Sequence, residues 1–182
     1  MKGKTLSEAW KWNLFSIPIL FIIGSIFHFL YDLSGKSAIV GAVAAVNESV
    51  WEHQKMVLLP VIGWWAIYYL LKGRNDQLDR RKWFSGLTVS LCVSILTIPF
   101  AYYFYSQAFG IHLIIVDASI LLVAFAAGQL AGFHFYKYSK GIPFYVSIMI
   151  VMLIFLVFVV FTFDPPQIPW FRDGLTGQYG ID

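Results

Sequence analysis

The chain has 182 residues, of which 59% are hydrophobic and only 13% are charged. This composition lies outside the range of soluble globular domains and indicates an integral membrane protein, for which we expect a single domain covering residues 1–182. Because Cys92 is the only cysteine, the chain cannot form an internal disulfide. The net charge is +3, and the positions of the charges along the chain are more informative about topology than this total.

Five apolar stretches are long enough to cross a bilayer, whose hydrocarbon core of about 30 Å needs about 20 helical residues. They cover residues 13–31, 50–71, 83–105, 111–135 and 143–163. The first stretch has no small-residue cleavage pattern near its end, so we expect it to stay as an anchor. The predicted fold is therefore all-α, a polytopic bundle of five transmembrane helices.

The basic residues predict the orientation of these helices. Ten of the thirteen lie before the first span, between the second and third spans, or between the fourth and fifth. The positive-inside rule then places the amino terminus in the cytoplasm and the carboxyl terminus outside, as in a multi-pass membrane protein. Because this rule accounts for the basic residues, we expect no nucleic-acid partner.

A short apolar run, Ser37–Val46, separates the first two spans. It is too short to cross the membrane, and counting it as a span would move every later loop to the opposite side and place the basic clusters outside. We therefore interpret it as an interfacial or re-entrant segment. On the fourth span, Gly128 and Gly132 are spaced for close helix packing, which we expect within the monomer rather than between two copies. The oligomeric state is left open.

A polar motif, Asn47–Lys55, stands at the start of the second span. Ser49 and Glu52 have the spacing of a capping box, in which Glu52 would reach back to the Ser49 amide. Glu48 and His53 would then meet at the staple positions of the helix start, as a polar contact. If the helix began earlier, Glu48 and Glu52 would repel each other and Lys55 could balance them.

Ionisable residues of three spans reach a similar depth on the predicted outer side. Such groups cost several kcal/mol inside a membrane unless they pair, bind a metal or line a wet cavity, so this layer is a candidate site. For any one residue, a hydrated interface is the alternative explanation. The layer contains His28, Glu48, Glu52, His53, His112 and Asp117.

These side chains offer nitrogen and oxygen ligands without a thiolate, a set that suits catalytic zinc and is also accepted by manganese and iron. We predict a divalent metal, most suitably zinc, bound by His28, Glu48, His53 and Asp117. Glu48 is also a candidate general base, and Glu52 a candidate catalytic or supporting residue. Additional candidates are His112, Asn47 and Lys55.

Two functions of different classes fit this pattern. The first is a metal-dependent hydrolase that acts on a lipid or lipid-linked headgroup at the outer leaflet. The alternative is a small-solute binding or transport subunit with the same outward cavity, driven by a partner or an ion gradient because the chain has no visible nucleotide motif. A third hypothesis is that the protein is a structural assembly factor, in which the polar layer is a hydrogen-bond network between helices.

The carboxyl-terminal tail, residues 164–182, is rich in proline and glycine and carries aromatic residues that suit the membrane interface. We expect an ordered cap on the same side as the polar layer. It could cover the site, or it could be an interfacial anchor without contact to a ligand.

The chain resembles a family of small bacterial membrane proteins that is described only as a domain of unknown function. The resemblance implies a full-length member with no transferable activity, in which the same polar residues mark the family. Where the family pattern has a proline after the tail aspartate, this chain has Gly174, so the turn there is expected to differ. The matching residues are His28–Tyr31, Val46–His53 with Lys55, Asp117, Pro165, Pro166, Pro169, Phe171, Asp173, Thr176, Gly177 and Tyr179–Ile181.

Overall fold

The computed structural model describes residues 2–73, 78–111 and 113–181, with side chains from residue 6 onward. Five long helices have the length and composition to cross a membrane, so the prediction of an all-α bundle with five spans is confirmed. Within the described ranges, extended pairing is limited to an isolated bridge between Arg172 and Tyr179. The α-helices are α1 (Lys2–Leu33), α2 (Ala38–Gly41), α3 (Val50–Tyr68), α4 (Arg80–Phe109), α5 (Ile114–Tyr138) and α6 (Phe144–Phe163).

Local signals at the helix ends explain where α3 and α4 begin and stop. Ser49 caps α3, and Asp79 caps α4 by accepting a hydrogen bond from the Lys82 amide. These caps satisfy backbone donors that have no partner inside the helix. A π-helical turn, Tyr69–Gly73, continues α3. The last residue of α4 is followed by Gly110, which caps the helix end with a φ of 63° that favours glycine.

Glycines bring α4 and α5 together. A Cβ atom on Gly128 would come within 1.9 Å of the Ser94 hydroxyl, and one on Gly132 within 2.6 Å of the Gly86 carbonyl oxygen. Only a residue without a side chain allows these backbones to approach so closely. The prediction that Gly128 and Gly132 serve packing inside the monomer is therefore confirmed.

Helix α3 lies against α1, α4 and α6, and this central position places its first turn next to several other elements. Trp65 on α3 packs against Trp83 on α4, with ring centroids 4.5 Å apart, and its indole nitrogen donates to the Gln129 side chain on α5. Buried polar groups inside a membrane domain need such partners. Because these contacts join helices that are far apart in sequence, they fix the position of α3 within the bundle.

The short helix α2 belongs to the segment between α1 and α3 and is too short to cross a membrane, as expected for an interfacial or re-entrant segment. Gly41 at its end is buried, and an added Cβ would meet Ile181 of the tail, Val46 and Tyr31. This segment therefore packs between the end of α1 and the carboxyl-terminal tail, near the polar motif.

Large apolar side chains cover the outside of the bundle. Phe15 on α1, Phe104 on α4 and Met149 on α6 are each more than half exposed. In water such a surface would be costly, whereas lipid chains cover it at no cost. The surface of the bundle is thus compatible with contact to a lipid bilayer.

Candidate metal site

Three residues from two separate stretches of chain meet at one end of the bundle. His28 lies near the end of α1, Glu48 immediately before the cap of α3, and His53 in the first turn of α3. The Glu48 carboxylate lies between the imidazoles: Oε1 is 3.3 Å from His28 Nε2, and Oε2 is 3.4 Å from His53 Nε2. One ligand atom from each residue falls within 4.8 Å of the other two.

The start of α3 sets the positions of Glu48 and His53. The Ser49 hydroxyl accepts a hydrogen bond from the Glu52 amide at 3.2 Å, as predicted for an N-cap. Glu48 and His53 consequently occupy the staple positions and are in contact, which confirms that prediction. The prediction that the Glu52 side chain accepts a hydrogen bond from the Ser49 amide is wrong. The Asn47 side chain accepts the hydrogen bond from that amide instead, at 2.9 Å.

A backbone carbonyl fixes the tautomer of His53. Its Nδ1 lies 2.8 Å from the Ser49 carbonyl oxygen, which can only accept, so Nδ1 carries a hydrogen. In the neutral ring, Nε2 then presents its lone pair to a carboxylate oxygen of Glu48. Two acceptors that face each other at 3.4 Å repel unless a proton or a metal ion lies between them.

His28 faces the same carboxylate from α1. Its ring stacks on that of His53, with centroids 5.2 Å apart and an interplanar angle of 30°. If both imidazoles were protonated, two positive charges would lie face to face, whereas one divalent ion would satisfy both lone pairs and the carboxylate. Unlike His53, His28 has no hydrogen-bond partner at Nδ1 among the described residues.

The charge and exposure of Glu48 suit a ligand. A hydrogen bond from His53, which the protonated imidazole donates through Nε2, lowers the pKa of Glu48 and outweighs its partial burial, so the carboxylate stays ionised near neutral pH. Its side chain is 41% exposed, against 22% for His28 and 29% for His53. The carboxylate is therefore the part of the cluster most open to solvent.

Each histidine lies at the distance from Glu48 that neighbouring ligands of a tetrahedral ion have. Two ligand atoms bound to zinc at bond lengths of about 2.0–2.2 Å and at the tetrahedral angle are about 3.4 Å apart. The two contacts between histidine and glutamate, at 3.3 and 3.4 Å, have this separation, each to a different oxygen of the carboxylate. With one ligand atom taken from each residue, the three atoms lie within 4.8 Å of one another. A zinc ion held by two imidazoles and one carboxylate would keep a fourth position for water, as catalytic zinc sites do.

Glu52 and Lys55 bind each other instead of joining this cluster. Lys55 is fully buried and Glu52 is 2% exposed, with Nζ and Oε2 2.5 Å apart. Lys55 also donates to the Gly41 carbonyl oxygen and the Thr162 hydroxyl, while Glu52 accepts from the Val46 amide. This pair joins α3 to α6 and to the segment before α3, so Glu52 supports the motif from inside the protein.

Asp117, which we predicted as a ligand, does not belong to the group of close ligand atoms found among the described residues. Its carboxylate accepts a hydrogen bond from the Tyr105 hydroxyl at 2.5 Å, and it lies near enough to His53 to interact electrostatically. His112 lies outside the described residues. Asn47 has a structural position, since its side chain also donates to the Gly180 carbonyl oxygen.

The tail is ordered and packs against the motif, as expected. Asp173 accepts a hydrogen bond from the Glu48 amide at 3.1 Å, and Trp170 donates to the Gln54 side chain. Burial alone would raise the pKa of Asp173, but hydrogen bonds from Thr176, Leu175 and Glu48 lower it. This role of Asp173 was not predicted, although an aspartate three residues before Thr176 is typical of a side-chain-capped turn.

Comparison with known proteins gives a family and no individual relative. No curated protein and no solved structure matches the chain. A family of unknown function, DUF6512, matches residues 1–181, which confirms the resemblance to a family without an assigned activity. The chain therefore belongs to DUF6512, a family of unknown function, over nearly its whole length.

Proposed function

We propose that this protein is a metal-dependent membrane hydrolase whose His28, Glu48 and His53 bind a divalent ion, most suitably zinc. The observation that carries the proposal is the distance of 3.4 Å between His53 Nε2 and the Glu48 carboxylate, while His53 Nδ1 faces the Ser49 carbonyl oxygen. In the neutral ring Nε2 has a lone pair, so a metal ion or a proton must lie between the two groups. A second imidazole on the same carboxylate makes a divalent ion a better occupant than a single proton.

His53 and Glu48 would have different roles at the proposed metal site. His53 is held by the Ser49 carbonyl, a bond that orients the imidazole and raises its basicity as a ligand. Glu48 would bring a negative charge to the ion as a ligand, and its second carboxylate oxygen could accept a proton from water. A bound zinc ion would supply the remaining chemistry by acidifying that water to near neutral pH.

The surroundings of His28 support a lipid substrate. Ile26 and Phe29 on α1, close to His28 in sequence, are 51% and 57% exposed on the apolar surface of the bundle. A lipid could thus keep its chains against α1 while its headgroup reaches the ion and the exposed Glu48. The predicted orientation places this end outside, so the proposed substrate is a lipid or lipid-linked headgroup of the outer leaflet.

Hydrolysis of defined vesicles tests the proposal. Purified protein is stripped with a chelator, reloaded with zinc, and mixed with vesicles of phosphatidylethanolamine and phosphatidylglycerol while released headgroups are measured. We expect release only after reloading, and a loss of about 100-fold or more in Glu48→Gln and His53→Ala. Lys140→Gln, an exposed change outside the cluster, is the matched control.

Two results would contradict the hydrolase. One is equal release by stripped and reloaded protein, and the other is no release by protein that binds zinc. The second result would leave the metal site in place and favour the alternative of a solute-binding or transport subunit, which uses the same three residues without activating water.

A further inference from the structure

A second candidate site lies at the opposite end of α1 and α5. A cavity of about 570 Å³ opens between these helices. Its distance from His28 along α1 is about 27 Å, because Trp10 and His28 are 18 residues apart and the helix rises about 1.5 Å per residue. We call it the α1–α5 groove and define it by Trp10 on α1 and by Leu130, Phe133, His134, Lys137 and Tyr138 on α5.

The base of the groove is apolar and aromatic. Phe133 is 5% exposed and packs against Trp10, with ring centroids 4.9 Å apart. Leu130, one helical turn before His134, is 43% exposed and borders the groove towards the middle of the span. An apolar base that opens towards the lipid-facing surface suits hydrocarbon better than water.

The mouth of the groove is basic. The Lys137 ammonium lies 4.8 Å from the centre of the Tyr138 ring, and the His134 ring lies 4.7 Å from the same ring. Ser7 adds a hydroxyl group on the α1 side. None of the lining residues that the structure describes is acidic, so the groove offers cationic and neutral donors to an anion.

An exposed apolar track leads away from this mouth. On α1, Leu14 follows Trp10 by one turn and is 39% exposed. On α5, Val123 precedes Leu130 by two turns and is 53% exposed. Residues at these spacings share a helix face, so the track runs along the bundle from the basic mouth towards the centre of the bilayer.

We propose that the α1–α5 groove binds one anionic phospholipid, with its phosphate at Lys137, His134 and Ser7 and its chains along Leu130 and Leu14. The basic and aromatic mouth complements an anionic headgroup, and the adjoining track complements acyl chains. The predicted orientation places this end at the cytoplasmic leaflet, where basic pockets between helices bind anionic headgroups. The site is independent of the proposed hydrolase.

Native mass spectrometry of the full-length protein in detergent tests this proposal with phosphatidylglycerol and phosphatidylcholine of the same chain length. We expect one retained phosphatidylglycerol and no such retention of phosphatidylcholine. Lys137→Gln should weaken phosphatidylglycerol binding about fivefold, as expected for one interfacial lysine. Lys140→Gln makes the same charge change outside the groove and should alter binding less than about twofold.

Three outcomes would overturn the proposal. The first is equal binding of both lipids, and the second is an equal loss in Lys137→Gln and Lys140→Gln, which would indicate a diffuse surface charge. The third is displacement of the lipid by excess inorganic phosphate, which would indicate a site for free anions. Lys137→Arg keeps the charge and should retain most of the binding, which separates loss of charge from misfolding.

Discussion

Lys55 shows how a charged residue becomes part of the interior of a membrane protein. Its side chain has no exposure, and its ammonium donates to Glu52, to the Gly41 carbonyl oxygen and to the Thr162 hydroxyl. An ammonium has three hydrogens, so each of them has an acceptor. The pair is therefore stable as a unit, and removing one partner leaves a buried charge on the other.

Lys55→Met should lower the free energy of unfolding by about 3–5 kcal/mol, because Glu52 would remain buried without its cation. Adding Glu52→Gln should recover part of this loss. Denaturant unfolding in detergent micelles, followed by tryptophan fluorescence, measures both changes. Lys140→Met, at an exposed position, is the control and should change stability by less than about 0.5 kcal/mol. A cost below about 1 kcal/mol for Lys55→Met would contradict this account of the pair.

Local spacing predicted the residue contacts that depend on helix geometry alone. The contact between Glu48 and His53 follows from where α3 begins, and the Ser49 cap sets that position. The acceptor role of Glu52 towards Val46 was missed, since it depends on how the chain folds back before α3. The bond between Asp117 and Tyr105 was missed for a related reason, because it joins two different helices.

Packing between α4 and α5 depends on glycine at a few positions. Gly128→Ala would place a Cβ atom 1.9 Å from the Ser94 hydroxyl and 2.6 Å from the Ser90 carbonyl oxygen, so the helices must separate. We expect a loss of about 1–3 kcal/mol in unfolding free energy. Gly63→Ala on α3 is the matched control, because its Cβ atom meets nothing within 4 Å. The control should be neutral or stabilise the helix by up to about 1 kcal/mol, and equal losses in both variants would contradict the packing account.

Asp173 holds the tail against the start of α3. Its oxygens accept from the amides of Glu48, Leu175 and Thr176 and from the Thr176 hydroxyl. Asp173→Ala removes these bonds at a buried position and should cost about 2–4 kcal/mol of unfolding free energy at pH 7. Asp164→Ala, at the exposed end of α6, is the control and should cost less than about 0.5 kcal/mol.

The cost of Asp173→Ala should depend on pH with a definite sign. Hydrogen bonds lower the pKa of Asp173 in the folded state, despite its burial. The stabilisation is therefore fully present above the unfolded-state pKa of about 3.9 and is lost as pH falls through the lower folded-state value. The stability difference between wild type and variant should shrink with acidification in that range. A difference that stays constant down to that pH would show that the carboxylate is not the source of the stabilisation.

At the scale of the whole molecule, hydropathy predicted the five spans and the fold class, because a bilayer requires about 20 apolar residues for each crossing. The helices extend beyond several of the predicted apolar ranges, since the backbone of α1 and α4 stays helical into the polar flanks. Which helices adjoin could not be predicted, because such contacts depend on side-chain packing between distant segments. For this reason the sequence predicted a polar layer, and the structure was needed to separate the cluster of His28, Glu48 and His53 from Asp117.

The most direct test is the metal content of the purified full-length protein after dialysis against zinc. We predict about one zinc ion per chain in the wild type, because three ligands and an open position form a single site. His53→Ala should retain less than about a tenth of it, and His134→Ala, at an exposed histidine on the far end of α5, should retain all of it. The metal site would be contradicted if the wild type held no zinc, or if both variants retained zinc equally. The cluster would then be explained as an ion pair between a protonated imidazole and Glu48.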